Sequence, residues 1–217
     1  MRKYFLTGCD RNTEWQLPWF IRRFHANCDE DLIIADFGMS YEMRRHAEQS
    51  CTHVLDCGRD GWFTKVEAMQ RIRRELQGGY CWLDTDCEIL GDPSSIFQYV
   101  EPNKLTMVID HPWTKRRGDK GVWYNSGVVA FEGSPPILDY WAAECKTGKH
   151  VGDQEALYSW FDGDIMKKAI HISEAPHKYN VLRIDILDNA VPKNPVIMHW
   201  TGQKGNLEIK KKISHGQ

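Results

Sequence analysis

Two carboxylates one residue apart, Asp84 and Asp86, follow a short apolar run, Tyr80-Cys81-Trp82-Leu83. Ile89-Leu90 and a turn at Gly91-Asp92-Pro93 close the segment. An apolar run of this length, bounded by Gly79 and the acidic pair, reads as a buried strand rather than a helix. In an extended backbone residues i and i+2 point the same way, so both carboxylates are expected to face one spot. Such a pair repels itself unless a cation lies between its members. The economical occupant is a hard divalent ion held by few protein oxygens, with positions left for substrate oxygens. A bare D-x-D also suits two ordinary strand-end turn residues, so the elements around it must decide.

Those elements alternate. A strand over 4–7 leads into Gly8-Cys9-Asp10, and Thr13-Glu14-Trp15-Gln16 has the form of a capping box, with Leu17, Phe20, Ile21 and Phe24 at helical spacing after it. A strand over 32–35 closes on Asp36, Ser40 caps a helix running to about residue 48, and a strand over 53–55 ends at Asp56. Thr64-Lys65-Val66-Glu67 forms a second capping box. Val66, Met69, Ile72 and Leu76 mark the apolar face of its helix, and Lys65, Arg71, Arg73 and Arg74 fall mostly off it. Strands alternating with helices predict a mainly parallel α/β sheet, whose ligands bind outside the carboxyl ends of the strands. Asp10, Asp36, Asp56, Asp84 and Asp86 all fall at such ends, an acidic rim suited to a metal or a nucleotide.

The second half supplies a strand over 105–109, then His111-Pro112-Trp113 and a basic loop over 115–121. This loop could cover a diphosphate, contact an anionic acceptor or simply be solvated. The strand over 122–131 is interrupted by Asn125-Ser126-Gly127, and a glycine inside a strand marks close approach of something else to the backbone. Helices open at Pro135-Pro136 and at Gly152-Asp153-Gln154-Glu155. Strands over 170–172 and 196–198 follow, the latter running into His199-Trp200-Thr201-Gly202. Residues 1–205 are read as a single domain and 206–217 as a polar, basic, mobile tail.

Composition narrows the classes. A chain of 217 residues with 41% hydrophobic content can bury a sizeable core. A formal charge of -2 gives no global field for nucleic acid or an anionic membrane. No apolar run approaches the ~20 residues of a membrane span, and the segment after Met1-Arg2-Lys3 is too short for a signal peptide. The seven cysteines include no C-x-x-C pair. Cys9, Cys51, Cys57, Cys81 and Cys87 read as small hydrophobes, and Cys51-x-His53 with Cys57 lacks the common zinc spacings. A reducing, cytoplasmic setting is expected.

Taken in order, these segments resemble a sugar-nucleotide-dependent glycosyltransferase of the GT-A fold, closest to family 8 and its relatives. The likeness is carried by Thr7-Gly8-Cys9-Asp10, Lys65 opening a helix, Trp82-Leu83-Asp84-Thr85-Asp86, Asp92-Pro93 with Ile96-Phe97, Tyr124-Asn125-Ser126-Gly127-Val128, Asp153-Gln154-Glu155-Ala156-Leu157, and His199-Trp200-Thr201-Gly202 with Lys204. It implies Mn²⁺ or Mg²⁺ held by Asp84, Asp86 and His199 against the diphosphate of a UDP-sugar, with GDP-sugars as the other option. It implies donor contacts from Thr7, Gly8, Asp10, Lys65, Asp84, Thr85, Asn125, Gly202 and Lys204. Asp153 and Gln154 match the pair that meets the donor sugar, which leans toward retention, although Asp153 could equally be a base or a helix-start residue. The acceptor, whether carbohydrate, lipid-linked or protein, is not indicated. The chain departs from family 8 after His199: the lysine usually lies one residue further on and precedes Pro-Trp, where this chain has Gly205-Asn206. A sugar nucleotidylyltransferase would need a glycine-rich phosphate loop that Gly8-Cys9-Asp10-Arg11 does not supply. A non-catalytic relative would be expected to lack one of the metal ligands.

Overall fold

The structure is a computed structural model that describes residues 1–58, 64–117 and 121–216. Its centre is a mixed sheet in the order β3-β2-β1-β4-β7-β6-β8, formed by β1 (Lys3–Cys9), β2 (Asp31–Asp36), β3 (His53–Asp56), β4 (Gly79–Leu83), β6 (Leu105–Ile109), β7 (Tyr124–Glu132) and β8 (Ile172–Glu174). The strands from β3 to β4 pair in parallel, and β7 runs antiparallel between β4 and β6. A second sheet sets β10 (Ile197–His199) between β5 (Cys87–Ile89) and β9 (Val181–Leu182).

Helices cover both faces of the large sheet, so its strands read as continuous apolar runs rather than alternating ones. On one face Tyr4, Leu6, Ile33, Tyr80 and Trp82 pack with Val66, Met69 and Ile72 of α3 (Thr64–Glu75) and with Leu138 and Trp141 of α5 (Pro136–Lys146). On the other, Phe5, Leu32, Ile34, Cys81 and Leu83 pack with Leu17, Phe20 and Phe24 of α1 (Leu17–His25) and Ala47 of α2 (Tyr41–Ser50). Cys81 and Cys87 are fully buried, as small hydrophobes should be.

Ser40 caps α2 by accepting from the Met43 N–H at 3.2 Å. Thr13 does not cap α1: its hydroxyl donates to Asp10 Oδ1 at 2.8 Å, and a short 3₁₀ turn at Glu14–Gln16 comes first. The expected strand over 170–172 is mostly the end of α7 (Ile165–His171), whose start is fixed by Asp164 accepting from the Lys167 N–H. Lys115 and Arg116, expected in a loop, end a helix instead, α4 (His111–Arg116). Asp110 caps that helix and Pro112 sits in its first turn, a recognised start signal. Residues 118–120 of the basic loop lie outside the described residues.

The expected mobile tail is ordered: Gly202–Ser214 is a helix, here α9, after α6 (Asp153–Phe161), α7 and α8 (Arg183–Leu187). Its Ile209 is fully buried. Lys212 Nζ lies 3.3 Å from the buried Glu88 carboxylate, which also accepts from Arg23 at 2.6 Å and from the Trp200 indole at 2.9 Å. Gly205 permits this docking, because a Cβ there would lie 1.8 Å from the Trp200 carbonyl oxygen.

Candidate active site

The carboxylates of Asp84 and Asp86 converge, but not by strand alternation. The backbone turns between β4 and β5, with the Cys87 N–H donating to the Asp84 carbonyl at 3.0 Å. The turn is pinned from three sides. The Asp84 N–H donates to the Gly127 carbonyl at 2.9 Å. Asp84 Oδ1 accepts from the Trp82 indole at 2.7 Å and from Lys65 Nζ at 3.3 Å. Thr85, buried between the two aspartates, donates to Gln16 Oε1 at 2.7 Å, and Gln16 in turn donates to Asn206 of α9 at 2.8 Å. Asp84 Oδ2 is thereby left to face His199.

His199 arrives from the other sheet, at the end of β10. Its Nε2 lies 3.0 Å from Asp86 Oδ1 and 4.0 Å from Asp84 Oδ2. Burial works against charge on this imidazole, but the carboxylates, Asp86 before Asp84, outweigh it and raise its pKa above the ordinary histidine value. A proton and a divalent cation compete for the same Nε2 lone pair. Gly127 lets the ring in: a Cβ there would fall 2.1 Å from His199 Cε1. The glycine inside the strand thus marks a close approach, as its sequence position suggested. A Gly127→Ala chain is expected to displace the imidazole and weaken Mn²⁺ binding about 10–100-fold, measured by titration against the free-Mn²⁺ signal in electron paramagnetic resonance.

Asp86, Cys87 and His199 lie close enough together to share a metal ion, and no other such group occurs among the described residues. The fully buried Cys87 thiol, which burial pushes well above its ordinary pKa, directs Sγ toward the Gly127 carbonyl at 3.8 Å. A carboxylate–imidazole donor set therefore comes from Asp86 and His199, with Asp84 Oδ2 on the same side. Such a set suits Mn²⁺ better than Mg²⁺.

Beside this cluster is a network of amides and acids. Asp110, 2% exposed, accepts from Gln154 Nε2 at 3.0 Å and from Asn125 Nδ2 at 3.3 Å on one oxygen, and from the Trp113 N–H on the other. Asn125 Nδ2 also donates to Gln154 Oε1 at 3.1 Å, and Asn125 Oδ1 accepts from the Gly127 N–H at 3.0 Å. A carboxylate can only accept and a backbone N–H can only donate, so these partners fix which way each amide points. Asp153, at the start of α6, is paired with Lys65 Nζ at 2.7 Å. Lys65 is buried and donates to the Ser126 carbonyl as well, so it does not fall outside the packed face of α3 as its helical position suggested. Burial works against its charge, yet Asp153 and then Asp84 raise its pKa further.

Two cavities meet here and share Asp84, Asp86, Asp153 and Gly202. One, of about 390 Å³, is walled by Asp110, Asn125, Gln154, Glu155, Trp113 and Arg116. The other, of about 470 Å³, opens toward the end of β1, where Gly8, Asp10, Phe37, Lys65 and Thr85 line it.

The expected donor-site residues separate accordingly. Thr7 is fully buried and lines neither cavity. Asp10 lines the second, but both its oxygens are engaged by Asn12 and Thr13. Burial works against its ionisation, and these hydrogen bonds still hold its pKa below the ordinary carboxylate value. Gly8 is needed for packing, since a Cβ would lie 2.7 Å from the Phe37 ring. Gly202, at φ +72°, opens α9 beside both cavities, whereas Lys204 is exposed and lines neither. The acidic rim also divides. Asp36 and Asp56 are both tied to Arg44 at 3.1 Å in a separate depression, away from the Asp84–Asp86 turn.

Sequence reasoning missed Asp110 and also Asn180, whose Oδ1 lies 3.1 Å from His199 Nδ1. Asp110 ends β6 just as Asp36 and Asp56 end β2 and β3, a signal that was available. Asn180 carried none.

The architecture matches solved glycosyltransferases. The galactosyltransferase LgtC, solved with donor and acceptor sugar analogs, superposes with a TM-score of 0.68 at 12% identity, over 97% of this chain and 94% of that one. GlyE of Streptococcus pneumoniae TIGR4 in its apo form gives 0.64 at 16% identity, over 100% of this chain and 64% of that one. The bifunctional WbbM gives 0.60 at 15% identity, over 97% and 51%. No family model matches the chain, and no curated protein matches it by sequence. The fold is therefore the GT-A fold that the sequence resembled, a mainly parallel sheet flanked by helices.

Proposed function

We propose that the chain is a metal-dependent glycosyltransferase, moving a sugar from a nucleotide-diphosphate donor, a UDP-sugar, to an acceptor hydroxyl with retention of configuration. The observation that carries this reading is the convergence of Asp84, Asp86 and His199 Nε2 where two cavities join. LgtC, of the same fold, is a galactosyltransferase that has been solved with sugar analogs, and an active-site variant of it replaces a glutamine.

In this reading Asp84, Asp86 and His199 would hold Mn²⁺, which when bound would supply fixed positive charge against a diphosphate leaving group. The start of α9 at Gly202, where the Thr201 side chain makes no cap, offers first-turn N–H groups to the same anion. Phe37 and Gly8 wall the nucleotide side. Gln154 and Asp110 face the sugar.

The engagement of the nearby acids supports retention. Asp153 is paired with Lys65, and Asp110 accepts three hydrogen bonds, so neither offers an unengaged carboxylate to the acceptor hydroxyl. The departing phosphate oxygen, on the same face, would then take the acceptor proton. Glu155 is the remaining carboxylate of the first cavity. Glu155→Gln is expected to leave turnover within a few-fold, whereas loss of a general base would cost about 10²–10⁴-fold. A loss of that size would favour an inverting reaction.

Slow hydrolysis of a panel of UDP- and GDP-sugars with Mn²⁺, followed by NMR of the anomer first released, tests donor and stereochemistry together. Hydrolysis of no nucleotide sugar would contradict the reading. The acceptor remains a carbohydrate, a lipid-linked sugar or a protein side chain. All seven cysteines are free, in keeping with a cytoplasmic site of action. No helix of the described residues is long and apolar enough to cross a membrane.

A further inference from the structure

We infer that Asn180 is a positioning residue that fixes His199 in the tautomer presenting Nε2 to the cation. This rests on the metal site proposed above.

Asn180 is 1% exposed and sits between a 3₁₀ turn (His177–Tyr179) and β9. Parallel pairing of β9 with β10 sets Leu182 beside His199 and brings the Asn180 side chain to the far edge of the imidazole. Its Nδ2 meets Asn125 Oδ1 at 2.8 Å, and its Oδ1 meets His199 Nδ1 at 3.1 Å. Asn125 Oδ1 also lies 3.1 Å from His199 Nδ1.

The protonation pattern of this triangle can be deduced from one group that has no choice. The Gly127 backbone N–H only donates, so the Asn125 atom that it meets is the carbonyl oxygen. The Asn180 atom 2.8 Å from that oxygen must then be the NH₂. Its other end, toward His199, is therefore the carbonyl oxygen. Both groups facing His199 Nδ1 are acceptors, so Nδ1 must carry a proton. The nitrogen left to bind a cation is Nε2, the one that faces Asp86 and Asp84. Loss of an orienting partner of this kind on a ligating histidine typically costs about 10–100-fold in metal affinity.

An apolar residue of similar size would leave the buried Nδ1–H with only Asn125, and would also remove one of the two amide donors to Asn125 Oδ1. The orientation of His199 would then no longer be held from the β9 side.

The test begins with Mn²⁺ titration of the wild-type chain, followed by electron paramagnetic resonance. If wild-type protein binds no Mn²⁺, the metal-site reading itself fails. If it binds, Asn180→Leu is expected to bind about 10–100-fold more weakly, while Asn180→Asp, which keeps the acceptor for Nδ1–H but loses the donor to Asn125 Oδ1, is expected to bind between the two. Equal affinity of the leucine variant, or an equal loss in the aspartate variant, overturns the inference. Independently of any variant's folding, Cd²⁺-loaded wild-type protein with ¹⁵N-labelled histidine is expected to show metal coupling at His199 Nε2 and a proton on Nδ1. Coupling at Nδ1 would overturn it.

Discussion

UDP binding in the presence of Mn²⁺ is expected to fall by about 4 kcal/mol, or three orders of magnitude, on Asp86→Ala substitution. Asp86 is the carboxylate nearest the imidazole, with Oδ1 3.0 Å from His199 Nε2. Its side chain is 20% exposed, and its role in packing is small beside that of the buried Thr85. The thermal transition should therefore move little while metal-dependent affinity collapses. Isothermal titration of UDP with and without Mn²⁺ checks both parts. A variant that binds UDP as wild type does would make the acidic turn a structural feature.

The second large effect falls on stability. Lys65 Nζ lies 2.7 Å from Asp153 Oδ2, 3.0 Å from the Ser126 carbonyl and 3.3 Å from Asp84 Oδ1. Replacing it by methionine removes the only cation from a buried pairing and leaves Asp153, 6% exposed, without its counter-charge. Removal of one partner from such a pair costs about 3–5 kcal/mol, which lowers the melting temperature on the order of 10 °C for a chain of this size. Adding Asp153→Asn to Lys65→Met is expected to recover part of the loss, since the two changes share one interaction. Melts in the absence of nucleotide separate this from any effect on donor binding. An unchanged melting temperature in Lys65→Met would show that the ammonium is dispensable to the fold.

These two residues also illustrate what the sequence discloses. The first four strands were legible because a sheet covered on both faces needs uninterrupted apolar residues, as in 80–83, and because each of them ended at or ran into an aspartate. The convergence of Asp84 and Asp86 was legible as a pattern, although the geometry behind it is a turn rather than an extended strand. Thr13 failed as a cap because Asp10, three residues earlier, competes for both its N–H and its hydroxyl. The last helix was hidden by its own composition: Ile209 and Ile213 are the apolar positions that pack against the core, and lysines between them look like a solvated tail. Lys65 looked exposed on helical spacing, since nothing local shows that Asp84 and Asp153 wait beneath it. Asn180 is the limiting case. Its contact with His199 depends on a two-residue strand, Val181–Leu182, too short to leave any periodicity.

The central claim is that Asp84, Asp86 and His199 together hold a divalent cation against a nucleotide diphosphate. Anomalous scattering from crystals grown with Mn²⁺ and UDP tests it most directly. The account predicts one strong manganese peak about 2.0–2.3 Å from a carboxylate oxygen of each of Asp84 and Asp86 and from His199 Nε2, with diphosphate oxygens among the remaining ligands. A peak elsewhere, or UDP bound in the cavities with no manganese beside Asp86, would contradict it.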